Sequence, residues 1–166
     1  IIGPSGITAP VVVVTSFEDL ARRGDAVKGK IVLFDVPFTQ YEATRVYRSS
    51  GANAAAKQGA VAMLLRSVAS FSINSPHTGT LSYESRLSRG RGSASNAEAA
   101  VRRIPAAAIT VEDAELLHRM QDRGQPITVK LVMNARTLPL APSRNVVAEL
   151  RGREKPDEVV VIGGHI

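Results

Sequence analysis

The sequence predicts a domain of the α/β class, in which short helices flank a sheet core. Apolar runs of strand length recur along the 166 residues, and helix-starting patterns lie between several of them. Apolar residues make up 44% of the chain, which is enough for a core, whereas aromatic residues make up only 4% and tryptophan is absent. The core is therefore expected to consist mainly of Val, Ala, Ile and Leu.

Short apolar runs mark the predicted strands. The second of them follows a Lys-Gly turn at 28–29, and the fourth follows Pro105. The run 127–133 alternates apolar and polar residues, so it is expected to bury one face and expose the other. The predicted strands are 11–14, 30–34, 61–65, 106–109, 127–133, 145–150 and 158–162.

Two helices are predicted in the first half of the chain. Ser16 and Asp19 have the spacing of a capping box, with Asp in place of the usual Glu, and they predict a short helix over 17–22. The Ala-rich segment 51–58 predicts the second helix, and Gly59 is a suitable stop at its C-terminus. Both helices are short enough to lie between successive strands of one sheet.

A third helix is predicted from Thr110 to about Asp122. Thr110 and Asp113 repeat the capping spacing, and the acidic residues of the first turn complement the helix dipole. The apolar residues that share one face are Val111, Ala114, Leu117 and Met120. His118 lies one residue from that face and lacks the paired ligand spacing of a metal-binding helix, so it is predicted to be a helix-surface histidine.

Composition excludes several classes of function. The chain contains no cysteine, so disulfides, thiolate zinc sites and cysteine nucleophiles are ruled out, and any metal would be held by His and carboxylates. No apolar run reaches the length of about 18 residues that a membrane span requires, and no signal peptide is visible. The net charge is +6, but the arginines of 86–103 lie among Ser, Gly and Ala without aromatics, which disfavours nucleic-acid binding.

Two segments are predicted to be connections. The segment 71–103 is long, polar and rich in Ser, Gly and Arg, and a loop of this length is usually functional or disordered. The segment 138–144 contains two prolines and is predicted to be a semi-rigid linker. A domain boundary is expected at this linker.

Several motifs, in order, resemble the protease-associated domain. They are Gly-Lys-Ile-Val-Leu at 29–33, the Ala-rich run from Gly51 through Gly59 to 62, and Ile-Pro-Ala-Ala-Ala-Ile-Thr-Val-Glu-Asp-Ala at 104–114. The pattern covers roughly 8–135. The C-terminal stretch from 145 to Gly163-Gly164-His165 resembles entry into the catalytic domain of a two-zinc exopeptidase, and 66–79 is similar to the carboxypeptidase Q group in particular.

The resemblance implies a fold and a division of the chain. It implies a protease-associated domain over 1–137, with an open β-barrel or sandwich-like sheet core flanked by short helices. The linker 138–144 would follow, and 145–166 would begin an incomplete zinc peptidase domain with a hairpin-like pair of strands. The Arg- and Ser-rich segment near 86–100 departs from the family pattern, so no role is carried over to it.

His165 is the predicted metal ligand. A histidine after a buried strand lies where α/β proteins commonly hold ligands, yet on spacing alone an ordinary strand-end histidine is the favoured interpretation. The resemblance implies that it binds one of two zinc ions. Gly163 and Gly164 either leave room for substrate beside the backbone or simply form a turn. No catalytic residue is expected within the chain, so the chain alone is predicted to be inactive.

His77 is the predicted substrate-binding residue. It lies in a Ser-Pro-His-Thr-Gly turn, and it either contacts a substrate terminus from a loop over the active site or is a locally bonded turn histidine. Ser70, Ser72 and Ser75 precede it too closely for a settled nucleophilic triad, and no orienting acid is evident.

The resemblance implies a zinc metallopeptidase of the aminopeptidase or carboxypeptidase type. In it, this chain would form a lid that limits substrate access, acting on small peptides together with the remainder of the catalytic domain. A homodimer and an extracytoplasmic location (secreted, periplasmic or lysosomal) agree with that family. The alternative is a non-catalytic protein- or peptide-binding module of a receptor-like relative.

Overall fold

The computed structural model describes residues 5–71, 74, 76–77, 79–83, 101–135 and 138–164. The chain divides into two units, Ile1–Ala135 and Arg136–Ile166. The elements of the first unit are β1 (Ile7–Val14), α1 (Phe17–Arg23), a 3-10 turn (Gly24–Val27), β2 (Ile31–Phe34), α2 (Tyr41–Lys57), β3 (Ala62–Arg66), β4 (Ala106–Ile109), α3 (Val111–Asp122) and β5 (Thr128–Leu131). Among the described residues, no helix combines the length and apolar character that a membrane crossing requires.

The five strands form one curled sheet in the order β4-β3-β2-β1-β5. Strands β1 to β4 are parallel, and β5 is antiparallel to β1. Strand β1 is longer than the predicted run 11–14 because its two halves have different partners. Residues 7–10 pair with β5, and residues 11–14 pair with β2. The predicted α/β class, with an open barrel-like sheet and short helices, is confirmed.

The sheet buries both of its faces. In β1 the side chains of Val12 and Val14 face one cluster, whereas those of Val11 and Val13 face the other, and β2 and β3 alternate in the same way. Helices α1 and α2 cover the first face, and α3 covers the second. Because consecutive residues are both buried, the parallel strands appear in the sequence as unbroken apolar runs.

Both predicted N-terminal caps are confirmed. The Ser16 hydroxyl accepts a hydrogen bond from the Asp19 N–H at 3.0 Å, and the Thr110 hydroxyl accepts one from the Asp113 N–H at 3.1 Å. Each bond satisfies a donor that the first turn of a helix leaves without a partner. Helices α1 and α3 therefore begin where the capping spacing predicted.

Helix α2 is much longer than the predicted helix 51–58. It begins at Tyr41, after Gln40, whose side chain makes no capping bond, so the sequence carries no start signal there. Its early turns are held by packing, because the ring of Tyr47 stacks on Phe17 with centroids 4.5 Å apart and lies 5.5 Å from Phe34. Tertiary contact, which a local pattern does not show, sets this boundary.

The negative charge of Asp19 is expected to stabilise the fold at pH values above the range in which its carboxyl group titrates. Partial burial opposes ionisation, but the Thr15 N–H and the guanidinium groups of Arg23 and Arg22 outweigh it and lower the pKa of Asp19. A lowered folded-state pKa gives stability that is present above the unfolded pKa and lost as pH falls through the folded one. Urea unfolding of Asp19→Asn should therefore show a deficit at pH 6 that shrinks towards pH 3. A deficit independent of pH would contradict this assignment.

Tyr83, within the segment 71–103 that was predicted as a loop, is hydrogen-bonded to Ile104, which directly follows that segment. The Tyr83 hydroxyl donates to the Ile104 carbonyl and accepts from the Ile104 N–H at 3.1 Å. Burial raises the pKa of Tyr83 further above its usual value, which already lies well above neutral pH. The predicted loop 71–103 contains no helix or strand where it is described, and residues 72–73, 75, 78 and 84–100 lie outside the described part.

Replacing Tyr83 with phenylalanine is expected to lower the free energy of unfolding by about 1–3 kcal/mol. The variant keeps the ring but leaves the N–H and the carbonyl of the buried residue Ile104 without these partners. Urea unfolding monitored by circular dichroism measures the change. Tyr41→Phe is the matched control, because it loses one hydrogen bond at the exposed surface. Equal stability of the two variants would show that Tyr83 does not hold the segment.

The second unit lacks the predicted strands. Residues 145–150 and 158–162 are all exposed, and none of them belongs to a strand; Val160, for example, is 87% accessible. The predicted hairpin-like pair of strands is therefore not formed within this chain. A strand needs a neighbour for its N–H and carbonyl groups, and the described residues 138–164 offer none to these runs. The predicted division into 1–137, 138–144 and 145–166 remains a prediction.

Candidate functional site

Polar residues gather at the carboxyl edge of the parallel strands. Because β1 to β4 run in the same direction, their C-terminal ends meet at one edge of the sheet. Asp35 directly follows β2, Arg66 ends β3 and Ser67 follows it. Ligands of open α/β sheets commonly bind outside this edge.

Asp35 and Arg66 form a buried ion pair at this edge. Arg66 Nη1 lies 3.0 Å from Asp35 Oδ1, and Arg66 Nη2 lies 2.9 Å from Glu115 Oε1 on α3. The Asp35 side chain is only 4% exposed, so Arg66 rather than water pairs with this carboxylate oxygen. Arg66 therefore links the ends of β2 and β3 to α3 through its contacts with Asp35 and Glu115.

His118 completes this group, and its position corrects the prediction of a plain helix-surface histidine. Its Nδ1 lies 2.6 Å from Asp35 Oδ2, and its side chain is 30% exposed. An ionised carboxylate only accepts hydrogen bonds, so Nδ1 carries the proton that is donated to Asp35. The histidine therefore orients Asp35 from the side opposite Arg66.

The group formed by Asp35, Arg66, Glu115 and His118 does not resemble a metal site. Within the described ranges, no three His, Asp or Glu side chains are arranged to hold an ion. The Arg66 guanidinium occupies the position between Asp35 and Glu115 that a cation would take. Asp35, Arg66, Glu115 and His118 are therefore expected to hold the sheet edge and α3 together rather than to perform chemistry.

The loop that carries His77 lies against α2 near the same edge. The His77 N–H donates to Ser67 Oγ at 2.8 Å, which ties the loop to the end of β3. His77 Nδ1 lies 3.2 Å from Arg48 Nη1, and Arg48 Nη2 donates to the Tyr41 hydroxyl at 3.0 Å. Tyr41 and His77 also meet edge to face, with ring centroids 6.2 Å apart. We call Tyr41, Arg48 and His77 the surface cluster.

The surface cluster does not support a serine nucleophile. His77 Nδ1 faces a guanidinium, and Ser67 Oγ accepts a bond from the His77 backbone rather than from its ring. Ser70 is exposed, and Ser72 and Ser75 lie outside the described residues. Among the described residues, the ring of His77 contacts Arg48 and Tyr41 rather than a serine, and the absence of a triad stays a prediction.

The predicted metal ligand, His165, lies outside the described residues. Gly163 and Gly164 are described, and a Cβ placed on either would meet nothing within 4 Å. Open space beside these glycines is compatible with both interpretations given for them, so neither is decided.

Sequence reasoning missed two groupings. The polar residues Asp35 and Arg66, each at the end of a buried strand, were a usable signal, since polar ends of adjacent parallel strands must lie close together. The pairing of Asp35 with His118 had no local signal, because 83 residues separate them. The pairing of Arg48 with His77 depends on where a loop folds back, and it was likewise not predictable.

The opposite, amino edge of the sheet has an open cavity of about 500 Å³. Ile7, Val61, Ile104 and Met133 contribute apolar walls, and Arg102 and Arg103 also line it. His77 is not among the residues that line it.

Comparison with known proteins gives one family match and several close relatives. The family model of the PA domain matches residues 7–117. Carboxypeptidase Q of Bos taurus is 50% identical over 163 residues, which are 98% of this chain and 32% of the relative. Carboxypeptidase Q of Homo sapiens is 47% identical over 163 residues, which are again 98% of this chain and 32% of the relative. The chain therefore spans about a third of the length of these curated relatives.

A solved structure shares the fold. The crystal structure of a peptidase M28 precursor from Shewanella amazonensis SB2B superposes with a TM-score of 0.61 at 29% sequence identity. The superposition covers 76% of this chain and 28% of that one. In each of these comparisons, the relative is considerably longer than the part that this chain matches.

Proposed function

Because this chain belongs to the PA domain family, we propose that it is the lid of a zinc-dependent exopeptidase that hydrolyses small peptides. One observation carries the proposal. The 50% identity to carboxypeptidase Q extends over 163 residues, well beyond the 7–117 that match the PA domain in general. The likeness therefore includes the segment that precedes His165, which a free-standing binding module would not need.

Zinc is proposed as the cofactor of the longer protein. When bound, zinc would activate a water molecule for attack on the peptide bond. His165 offers an imidazole, which is a donor that zinc accepts, but catalytic zinc usually has three protein ligands. The described residues supply no such set, so the further ligands of the proposed two ions would come from the remainder of the catalytic domain.

The lid role assigns two tasks to this chain. The PA unit would limit the size of peptides that reach the catalytic site and would exclude water when closed over it. His77 would contact the bound peptide, since it lies on an exposed loop that is tied to the sheet edge through Ser67. An extracytoplasmic location and a homodimer are part of this proposal.

The experiment is a hydrolysis assay on the longer protein that contains this chain. We expect cleavage of dipeptides that a zinc chelator abolishes and added zinc restores, and a lower kcat/KM for hexapeptides than for dipeptides. This chain by itself, folded and supplied with zinc, should show no cleavage. Absence of cleavage by the folded, zinc-supplied longer protein would instead favour the non-catalytic binding module.

A further inference from the structure

The surface cluster has a defined arrangement of hydrogen-bond donors. A guanidinium cannot accept a hydrogen bond, so His77 Nδ1 is the acceptor of its contact with Arg48 Nη1. The proton of the neutral imidazole then lies on Nε2. The Tyr41 oxygen also accepts from Arg48, which leaves its own proton available for donation. One guanidinium therefore turns two neighbouring side chains into donors.

The cluster is held in place before any ligand arrives. Ser67 Oγ accepts a hydrogen bond from the His77 N–H, and the Ser82 N–H donates to the Ser49 carbonyl of α2 at 2.7 Å, so the loop is tied down at His77 and again at Ser82. At Gly79 a Cβ would lie 2.6 Å from Arg48 Cζ. A side chain at position 79 would therefore displace the Arg48 guanidinium from this position. A site whose groups are already positioned loses less entropy on binding.

The electrostatic surroundings favour an anion. Tyr41 is the first residue of α2, a helix of 17 residues, and the N-terminal end of a helix carries partial positive charge. The adjacent acidic residue, Glu42, is engaged by Arg45, whose Nε lies 2.6 Å from its carboxylate. Tyr41 is 44% exposed, and His77 is also exposed, so both donors are accessible to a ligand.

We propose that Tyr41, Arg48 and His77 bind a carboxylate group. O–H and N–H donors, both polarised by the same guanidinium, suit an acceptor with two oxygens and a negative charge. That the ligand is the terminal carboxylate of a small peptide rests on the proposed function. The assignment of the ligand as a carboxylate rests only on the geometry of the cluster.

The test measures binding of small ligands to this chain. Binding is followed by nuclear magnetic resonance, through the shifts of the imidazole protons of His77. Glycylglycine is the first probe, glycylglycine amide is the second, and acetate is the third. We expect saturable shifts with glycylglycine and no saturation with the amide, which lacks the carboxylate. Saturation by acetate over the same concentration range would assign the site to carboxylates in general. Saturation by the dipeptide alone would assign it to peptide ends, and both results support the proposal.

Matched variants separate the cluster from general surface charge. Arg48→Lys keeps the charge but loses the planar fork, and it is expected to weaken dipeptide binding about tenfold. Tyr41→Phe keeps the ring contact with His77, so it tests the hydroxyl without disturbing the loop, and it should also weaken binding. Arg45→Lys, on the same helix and engaged with Glu42, should leave binding unchanged.

Three results would overturn the proposal: equal saturation by the amide, no saturation by either carboxylate, or full binding by both Arg48→Lys and Tyr41→Phe. These results are independent of hydrolysis by the longer protein. Carboxylate binding without peptidase activity would therefore refute the proposed function alone, and activity without carboxylate binding would refute this inference alone.

Discussion

Replacing Arg66 with methionine is expected to lower the free energy of unfolding by about 3 kcal/mol. Methionine is close in length to the arginine stem, so the main loss is the charge that pairs with Asp35, whose side chain is 4% exposed. Removing one partner of a buried ion pair typically costs about 3–5 kcal/mol, because the other charge is left unpaired. His118 still donates to Asp35, which places the expected loss at the lower end. Urea unfolding at neutral pH measures it.

Two further variants make the Arg66 test specific. Arg119→Met removes another arginine near Glu115, but that contact is 3.9 Å long and its side chain is 55% exposed, so the change should stay within about 0.5 kcal/mol. The double variant Asp35→Asn with Arg66→Met removes both charges, so it should be more stable than the sum of the single effects predicts. Strict additivity would show that the two side chains do not interact.

Replacing His165 with alanine in the longer protein is expected to abolish hydrolysis. Loss of the partners that merely orient zinc ligands costs about 10- to 100-fold, so loss of a ligand should lower kcat/KM by more than about 100-fold. The zinc content of the purified protein should fall as well, which gives a readout that does not depend on turnover. Both quantities follow from the proposed role of His165 in binding zinc.

The control for His165 is Glu158→Gln, in the same segment. Glu158 is exposed and pairs only with Lys155 among the contacts described for it, at 3.0 Å from Nζ, so hydrolysis and zinc content should not change. Full hydrolysis and an unaltered zinc content in the His165→Ala protein would remove His165 from the metal site.

Local patterns were sufficient for much of the PA unit. The capping pairs at Ser16 and Thr110 located α1 and α3, because an N-terminal cap is formed by residues three apart in the chain. The apolar runs located the parallel strands, since burial on both faces makes most of their positions apolar. The boundary of α2 was wrong, because packing of Tyr47 against Phe17 and Phe34, not a cap, supports its first turns.

Longer-range partners decided the remainder. The runs 145–150 and 158–162 have strand composition, yet they are not strands here, since β-structure requires a neighbouring strand and not composition alone. The same limit applies to the site residues. His77 was correctly identified as a loop histidine, but its contact with Arg48 lies across 29 residues of sequence.

By itself, the sequence determined the α/β class, the positions of the parallel strands and two helix starts, because each depends on residues that are close together in the chain. Only the tertiary structure decided that Asp35, Arg66 and His118 meet at one edge, and that Tyr41, Arg48 and His77 meet on α2. Both groupings depend on the direction and order of strands in the sheet and on the path of a loop. Hydrogen bonds between side chains so far apart in sequence leave no periodic pattern along the chain.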